Sequence, residues 1–286
     1  MNKQNNLLLA FYGDDFTGST DALEFLSRAG ARTKLFLEPP TAEQLSRYPD
    51  LDAFGVAGMT RSMPPEEMEN ILLPAFKLIK QSGASHVHYK VCSTFDSSPS
   101  TGSIGKAIDC GAIVFENRFI PLLVAAPALG RYCVFGNLFA KMGIASNGNI
   151  YRLDRHPSMS KHPVTPADES DLRLHLSKQT TKKVCLLDIL QFSKTKEEIN
   201  KECDNLANRG AEVILIDALY QDQLLKIGEL IDSYTGRNAL FSVGSSGIEM
   251  ALGQYWNETN VLKPVTEWKD PGSVDSGWSA FFEGFE

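Results

Sequence analysis

The sequence predicts a three-layer α/β fold, in which a mostly parallel sheet is covered by helices on both faces and carries a β-hairpin excursion. Short apolar runs alternate with longer amphipathic segments through most of the 286 residues, which is the pattern of βαβ units. Between residues 130 and 166 this alternation stops, because short apolar pieces there are separated by Gly, Asn and Asp rather than by helices. That spacing is typical of a hairpin.

The elements follow in chain order from their apolar runs and end signals. After strand 7–12, Ser19, Thr20 and Asp21 are N-cap candidates, and Gly30 ends the first helix. Later strands are apolar runs between turn residues, and later helices begin at capping residues or Pro. The predicted strands cover residues 7–12, 33–37, 53–57, 86–91, 120–126, 183–187, 213–217 and 240–243. The predicted helices begin near Ser19, Thr41, Pro64, Ser103, Asp168, Thr195, Gln221 and Gly247.

The domain prediction depends on where the alternation of strand and helix signals continues along the chain. We expect an α/β domain over residues 1–265, as one body or as two lobes divided by the irregular segment 130–166. Residues 266–286 contain several aromatic side chains without helical or strand periodicity, so we expect an irregular tail there.

Composition and charge favour a cytoplasmic enzyme. The formal net charge of −7 and the sequence pI near 5.4 argue against a nucleic-acid partner, since phosphate binding needs a basic surface. No run approaches the roughly 18 apolar residues of a membrane span, and the polar residues 1–6 lack a signal-peptide pattern. The five cysteines are an odd number without a C-x-x-C pair, so we expect reduced thiols.

Asp14 and Asp15 stand at the glycine-bracketed junction of the first strand and the first helix. Ligands of open α/β sheets bind outside the carboxyl ends of the strands, so both carboxylates are candidates for acid–base chemistry or metal binding. Helix capping by Asp15 or Thr17 is the alternative, and the sequence leaves both open. A haloacid-dehalogenase-type phosphatase is disfavoured, because Phe16 stands where its second aspartate would be.

Two cations follow later strands. Arg61 is a candidate carboxylate clamp, because a guanidinium offers two parallel donors; the alternative is an ordinary surface arginine. Lys90 lies inside the strand pattern 86–91, where a charged group must face a polar site or pair with an acid. The hydroxyl-rich loop that begins at Ser93 and Thr94 favours the functional interpretation of Lys90.

The segment Gly244-Ser245-Ser246-Gly247 joins the last strand to the last helix. Backbone amides at a helix N-terminus suit an anion, but a tight strand-to-helix turn is the stronger interpretation of four residues alone. The dinucleotide fingerprint G-x-G-x-x-G is absent, and residues 102–106 have the wrong spacing for a Walker A loop. His86 and His88 share a strand face without an evident third ligand, so we predict no metal site.

Taken together in chain order, these motifs resemble the four-carbon acid sugar kinase family, specifically its N-terminal sugar-binding domain. The resemblance covers about residues 7–265 and is carried by residues 13–21, 60–62, 90–97, 126–128, 136–138, 163–166 and 244–247. It implies ATP-dependent phosphorylation of the terminal hydroxyl of a four-carbon sugar acid, such as a threonate, an erythronate or a 3-oxo-tetronate.

The same resemblance implies roles for individual residues. Asp15, with Asp14 beside it, is the catalytic candidate. The residues implied to bind the sugar acid are Asp15, Arg61, Lys90, Cys92, Ser93, Thr94 and Asp96. The residues implied to contact the cofactor are Gly244, Ser245, Ser246 and Gly247. ATP and Mg²⁺ serve the complete enzyme, whose C-terminal domain holds the nucleotide, and neither is expected to bind this chain tightly.

Because no Gly-rich nucleotide loop follows the last helix, we expect the chain to be the sugar-acid-binding half of such a kinase, with a tail that fits the start of a truncated nucleotide-binding domain. Such a half is expected to bind a sugar acid weakly and not to phosphorylate it. The alternatives are a stand-alone sugar-acid-binding or sensing module and a dinucleotide-dependent oxidoreductase. The expected partner is a small-molecule sugar acid, without nucleic acid or membrane, and the sequence leaves a homo-oligomer open.

Overall fold

A computed structural model describes residues 7–143, 148–236 and 238–265. Its strands are β1 (Leu9–Gly13), β2 (Thr33–Phe36), β3 (Ala53–Ala57), β4 (His86–Lys90), β5 (Ile120–Leu123), β6 (Arg131–Val134), β7 (Asn137–Lys141), β8 (Ile150–Arg152), β9 (Val184–Leu187), β10 (Val213–Ile216) and β11 (Leu240–Gly244). Its helices are α1 (Phe16–Arg28), α2 (Ala42–Ser46), α3 (Pro65–Gln81), α4 (Ile104–Phe115), α5 (Leu172–Ser177), α6 (Lys196–Asn208), α7 (Gln223–Ser233) and α8 (Gly247–Glu258).

Eight of the described strands form one parallel sheet in the order β2-β3-β1-β4-β11-β5-β10-β9. Helix α8 packs on α1 and α7, whereas α3 packs on α4. Crossovers between parallel strands are right-handed, so helices that lead in opposite directions along the sheet cover opposite faces. The prediction of a three-layer, mostly parallel α/β fold is therefore confirmed.

Aromatic side chains fill the layer between the sheet and helices α3 and α4. The ring of Phe241 stacks on Phe115 with centroids 5.0 Å apart, and Phe76 lies 5.2 Å from the same ring. All three side chains are fully buried. Gly111 makes this packing fit, since a Cβ at that position would lie 2.0 Å from an atom of the Phe241 ring.

The predicted excursion is a three-stranded antiparallel sheet, β6-β7-β8, between β5 and α5. The carboxylate of Asp217, just after β10, anchors it. Asp217 accepts hydrogen bonds from the backbone amides of Phe135 (2.6 Å), Gly136 (3.0 Å) and Ile189 (3.1 Å). Because Phe135 and Gly136 form the turn between β6 and β7, this one buried side chain holds the excursion against the end of the main sheet.

Three element boundaries differ from their predictions for local reasons. The first helix, predicted from Ser19, begins at Phe16, because the side chain of Asp15 rather than Ser19, Thr20 or Asp21 caps it. The strand predicted over 120–126 ends at Leu123, and Ala126 instead pairs with Arg131 at the start of the small sheet. The helix predicted from Asp168 begins at Leu172, because the side chain of Asp171 caps it. The predicted tail 266–286 lies outside the described residues. Within the described ranges, no helix is both long and apolar enough to cross a membrane.

One face of β4 carries basic side chains in the interior of the sheet. His86 Nε2 lies 3.0 Å from Asp232 of α7, and His88 Nδ1 lies 2.6 Å from Glu249 of α8. Lys90, next on this face, is 2% exposed. Interior strands of parallel sheets are usually apolar on both faces, so these basic groups need acidic partners from the helices.

We expect Glu249→Ala to lower the free energy of unfolding by about 3 kcal/mol or more, because it leaves the buried His88 ring without its carboxylate partner. His88 and Glu249 are both fully buried, and the other ring nitrogen of His88 is held by the carbonyl of Gly244 at 3.1 Å. Glu258→Ala, at the exposed end of the same helix, should change stability by no more than about 0.5 kcal/mol. Urea unfolding of the two variants compares them, and a similar small loss for both would refute this role for the pair.

Candidate functional site

The candidate site lies at the carboxyl edge of the main sheet, the edge at which its parallel strands end. Asp14 and Asp15 follow β1, Arg61 lies in a 3-10 turn after β3, and Lys90 ends β4. Strand β1 pairs with β3 on one side and β4 on the other. From β1 the chain crosses towards β2, and from β4 it crosses in the opposite direction towards β5. These two strands therefore form a topological switch point, where α/β sheets bind ligands.

Arg61 and Asp14 form the geometric centre of the site. Arg61 Nη2 donates to Asp14 Oδ1 at 2.7 Å and Nε donates to Oδ2 at 3.1 Å, a bidentate pair. The backbone amide of Arg61 also donates to the Asp14 carbonyl at 3.0 Å. Gly102 lies against the Arg61 backbone in the left-handed region, where a Cβ would meet the Arg61 carbonyl oxygen at 2.3 Å. The loops after β1 and β3 are thus locked to each other.

Asp15 completes the cluster and differs from Asp14 in its access to solvent. Arg61 Nη1 donates to Asp15 Oδ2 at 2.5 Å, and the Gly18 amide donates to Oδ1 at 2.6 Å, so Asp15 is the N-cap of α1. The Asp14 side chain is 3% exposed and the Asp15 side chain 27%. A ligand can therefore reach Asp15, whereas Asp14 is enclosed by protein.

Burial and pairing oppose each other in the ionisation of this pair. Burial raises the pKa of the Asp14 carboxyl, and the hydrogen bonds and charge of Arg61 work against that rise. Burial by itself lowers the pKa of Arg61, because it disfavours the charged guanidinium. The hydrogen bond from Arg61 to Asp14 and the nearby negative charge outweigh this effect, so the pKa of Arg61 is raised overall. Arg61 therefore stays a cation whose donors face two carboxylates.

Lys90 approaches the cluster from β4. Its ammonium donates to the Val91 carbonyl at 2.9 Å and lies 3.7 Å from Asp21 Oδ2. A Cβ on Gly18 would lie 2.6 Å from Asp15 Oδ1 and 3.3 Å from Lys90 Nζ, so the glycine lets these charges converge. Sequence reasoning treated Asp21 only as a capping candidate. Its position one helical turn after Gly18 is the signal that points to the same face.

The loop after β4 carries polar side chains that lie close to one another. Cys92 Sγ and Thr94 Oγ1 lie 3.0 Å apart, and Ser93 is half-buried beside them. Burial raises the pKa of the Cys92 thiol, which the charges of Asp96 and Arg61 influence in opposite directions. Cys92 is therefore a neutral thiol between these two groups.

Strain and an unpaired acid mark the next part of this loop. Phe95 has φ +58°, a left-handed conformation that is costly for a bulky residue. Within the described part of the chain, the buried Oδ1 of Asp96 has no hydrogen-bond partner. His175 of α5 supports the loop, since its ring lies 5.7 Å from that of Phe95 and Nε2 lies 2.9 Å from Ser97 Oγ.

The turn Gly244-Ser245-Ser246-Gly247 lies behind the cluster, next to the end of β4. Its four residues are buried, Ser245 Oγ donates to the Val124 carbonyl at 2.8 Å, and Ser246 Oγ donates to Asp21. A Cβ on either glycine would lie about 2 Å from a carbonyl oxygen of the segment that ends β5. The turn therefore packs tightly, and its contact with a cofactor stays a prediction.

Two further observations bound the chemistry. No three His, Cys, Asp or Glu side chains converge as metal ligands in the ranges that the structure describes. A separate cavity of about 650 Å³ opens between the small sheet and the loop after β10, and its lining residues, which include Tyr132, Phe139 and Tyr220, carry no formal charge. The Asp14–Asp15–Arg61–Lys90 cluster, by contrast, gathers four charged side chains at the carboxyl edge of the main sheet.

Fold and site together define an α/β ligand-binding domain with a charged switch-point site. Residues 9–252 match the family model described as the sugar-binding N-terminal domain. The chain belongs to this family. The resemblance to four-carbon acid sugar kinases is thereby confirmed.

Curated relatives and solved structures agree with this assignment. The chain is 44% identical over 259 residues to a 3-oxo-isoapionate kinase of Paraburkholderia graminis, covering 91% of this chain and 54% of that protein. It is 30% identical over 249 residues to a 3-oxo-tetronate kinase of Methylobacterium radiotolerans, covering 87% and 55%. A solved structure from Salmonella typhimurium LT2 matches with a TM-score of 0.77 at 27% identity, covering 89% of this chain and 56% of that one. The chain thus spans about half the length of these relatives.

We expect the stability of the fold to fall as pH drops below about 6.5, partly through His175. Burial, with the nearby charge of Lys178, lowers the pKa of His175, whereas a histidine in the unfolded chain titrates near 6.5. The unfolded chain therefore binds the proton first, so this contribution is complete above about pH 6.5 and is lost as pH falls towards the folded-state value.

Urea unfolding at pH 7.5 and 5.5 measures this effect. His175→Gln should show a smaller loss of stability between the two pH values than the unchanged protein. An identical pH dependence in both would show that His175 does not titrate in this way.

Proposed function

We propose that this region is the sugar-acid-binding half of an ATP-dependent kinase that phosphorylates the terminal hydroxyl of a four-carbon sugar acid. The observation that carries the proposal is the partly exposed Asp15 beside two cations at the switch point of the sheet. The names of the two curated relatives support it, because both are kinases of 3-oxo sugar acids. Threonate, erythronate and 3-oxo-tetronate are the candidate ligands.

The donors that remain unused determine how a sugar acid would be held. The hydrogen bonds to Asp14 and Asp15 use three of the five N–H donors of Arg61. Lys90 gives one of its three to the Val91 carbonyl. In this proposal the remaining donors of Arg61 and Lys90 bind the acid's carboxylate or carbonyl oxygens. Arg61 would therefore bind the protein's own carboxylates and the ligand at the same time, with most of its donors on Asp14 and Asp15.

Asp15 is the residue proposed to receive the acceptor hydroxyl. A carboxylate offers about four lone-pair sites, and the bonds from Gly18 and Arg61 use two of them. The rest are available to orient the hydroxyl or to take its proton, and phosphoryl transfer relies mainly on such positioning and on charge neutralisation. Asp14 acts behind it by fixing Arg61. Residues Cys92, Ser93, Thr94 and Asp96 would form the adjoining wall.

Neither ATP nor Mg²⁺ is assigned a position on the described residues, and the contact of the turn 244–247 with a cofactor stays a prediction. No group of metal ligands converges among them, and the buried turn 244–247 has both serine hydroxyls engaged within the protein. No chemical step is therefore assigned to the nucleotide on these residues. The proposal places the phosphoryl donor on a nucleotide-binding half, as the family resemblance implies.

We expect D-threonate or D-erythronate to raise the thermal midpoint of the protein, since a ligand that binds only the folded state stabilises it by about 2.7 kcal/mol at one hundred times its Kd. Differential scanning calorimetry with each acid measures the shift, and threitol, which lacks the carboxylate, is the matched control. A shift with NAD alone would support the oxidoreductase instead. No shift with threonate, erythronate or 3-oxo-tetronate would remove the support for a sugar-acid site.

Substituting the two aspartates should separate ligand binding from folding. Asp15→Asn should keep the thermal midpoint, because Asn is a good N-cap, but weaken sugar-acid binding roughly tenfold or more through the lost charge. Asp14→Asn should lower the stability by about 3 kcal/mol, because it breaks a buried bidentate pair. Titration calorimetry and urea unfolding measure the two effects. Full affinity in Asp15→Asn would exclude Asp15 from the ligand site.

A further inference from the structure

The third basic residue on the buried face of β4 has a looser partner than the first two. His86 and His88 each lie within 3.0 Å of a carboxylate oxygen, whereas Lys90 Nζ lies 3.7 Å from Asp21 Oδ2. At that distance the pair attracts by charge without a hydrogen bond. The positive charge of the Lys90 ammonium is therefore balanced by the Asp21 carboxylate, and the remaining N–H donors of Lys90 stay available to the site.

Asp21 is itself held by a second group, the hydroxyl of Ser246. Ser246 Oγ donates a hydrogen bond to Oδ2 of Asp21, the same oxygen that faces Lys90. The Ser246 side chain is fully buried at the start of α8, so the surrounding protein fixes the position of its hydroxyl. The Asp21 carboxylate, whose side chain is 32% exposed, is thereby kept in one orientation next to the ammonium.

The local charge makes such a counter-ion necessary. A buried ammonium without a partner is costly, and the two carboxylates nearest to Arg61 already direct their oxygens to that guanidinium. Asp21 is the carboxylate that forms an ion pair with Lys90 among the described residues. Without it, the flexible lysine side chain would be free to turn towards Asp15, which lies near it across Gly18.

We infer that Asp21 is a positioning residue: held by Ser246, it fixes the Lys90 ammonium so that the free N–H donors of Lys90 point to the ligand beside Asp15. This inference rests on the proposed function, because its effect is read as affinity for a sugar acid. It goes beyond that proposal by adding Asp21 and Ser246, neither of which needs to touch the ligand for this role.

A double-mutant cycle on affinity tests the inference. D-Threonate and D-erythronate are titrated calorimetrically, well below the thermal midpoint, into the unchanged protein, Asp21→Asn, Lys90→Met and the double variant. We expect Asp21→Asn to weaken binding roughly tenfold, and the double variant to bind no more weakly than Lys90→Met, since coupled residues are not additive. Asp52→Asn is the control, because Asp52 pairs with Arg32 at the opposite edge of the sheet.

Ser246→Ala keeps the test decisive if a charge variant fails to fold. It retains both charges and removes only the hydroxyl that holds Asp21, so we expect a loss of roughly threefold in affinity with a folded protein. A purely structural role would lower the thermal midpoint of Asp21→Asn or Ser246→Ala and leave the Kd of the folded fraction unchanged.

The outcomes separate the two proposals. Affinity of Asp21→Asn and Ser246→Ala within twofold of the unchanged protein, or additive losses in the cycle, would overturn the positioning role and leave the sugar-acid site standing. Failure of the unchanged protein to bind either acid or 3-oxo-tetronate would overturn the proposed function, and this inference with it. Losses in Asp21→Asn and Ser246→Ala, with the Asp21→Asn loss vanishing in the Lys90→Met background, would support both.

Discussion

The bidentate pair between Arg61 and Asp14 is the interaction on which the rest of the site depends. It joins the loop after β1 to the loop after β3 through two side-chain hydrogen bonds and one backbone bond. Asp14 is enclosed by protein, so removing Arg61 leaves a buried carboxylate that has lost both its solvation and its counter-ion. Asp15 depends on the same guanidinium, and its exposed position therefore follows from the buried pair behind it.

The sheet accommodates these charges because each one has a partner from a different element. On the buried face of β4, acids arrive from α7, α8 and α1 in turn, opposite His86, His88 and Lys90. The middle pair, His88–Glu249, is fully buried, whereas Asp232 and Asp21 at the two ends are each about a third exposed, and the Lys90–Asp21 pair is the longest of the three at 3.7 Å. The interior pairs hold helices to the strand, and the last one leaves donors for a ligand.

Much of this arrangement follows from local sequence. Apolar runs identify the strands, and the rule that ligands bind beyond their carboxyl ends places Asp14, Asp15 and Arg61 at one edge. Of the two interpretations of the aspartate pair, capping describes Asp15, which is the N-cap of α1, while Asp14 pairs with Arg61; the acid–base role stays a prediction. Lys90 was predicted to face a polar site or an acid, and the structure places it near both.

The remaining features depend on strand order, which no local pattern specifies. Strand β11 lies beside β4 although more than 140 residues separate them in the chain, and that neighbourhood alone brings Ser246 to Asp21 and Glu249 to His88. The pairing of Arg61 with Asp14 rather than a ligand is equally non-local, because it requires β3 and β1 to be adjacent in register. Sequence patterns identify the charged residues at strand ends. Which of these charges already have a partner within the protein depends on which strands are neighbours in the sheet.

The state of Asp15 limits how it can act. Its two oxygens already accept one hydrogen bond each, from the Gly18 amide and from Arg61, so its carboxylate is fixed in direction before any ligand arrives. A fixed acceptor orients a hydroxyl at little entropic cost, which is the contribution that phosphoryl transfer needs most from the protein. Proton removal is a smaller demand on the same group. Under the proposed function, this geometry favours Asp15 as the residue that aligns the acceptor hydroxyl, with Asp14 and Arg61 maintaining the direction of its carboxylate.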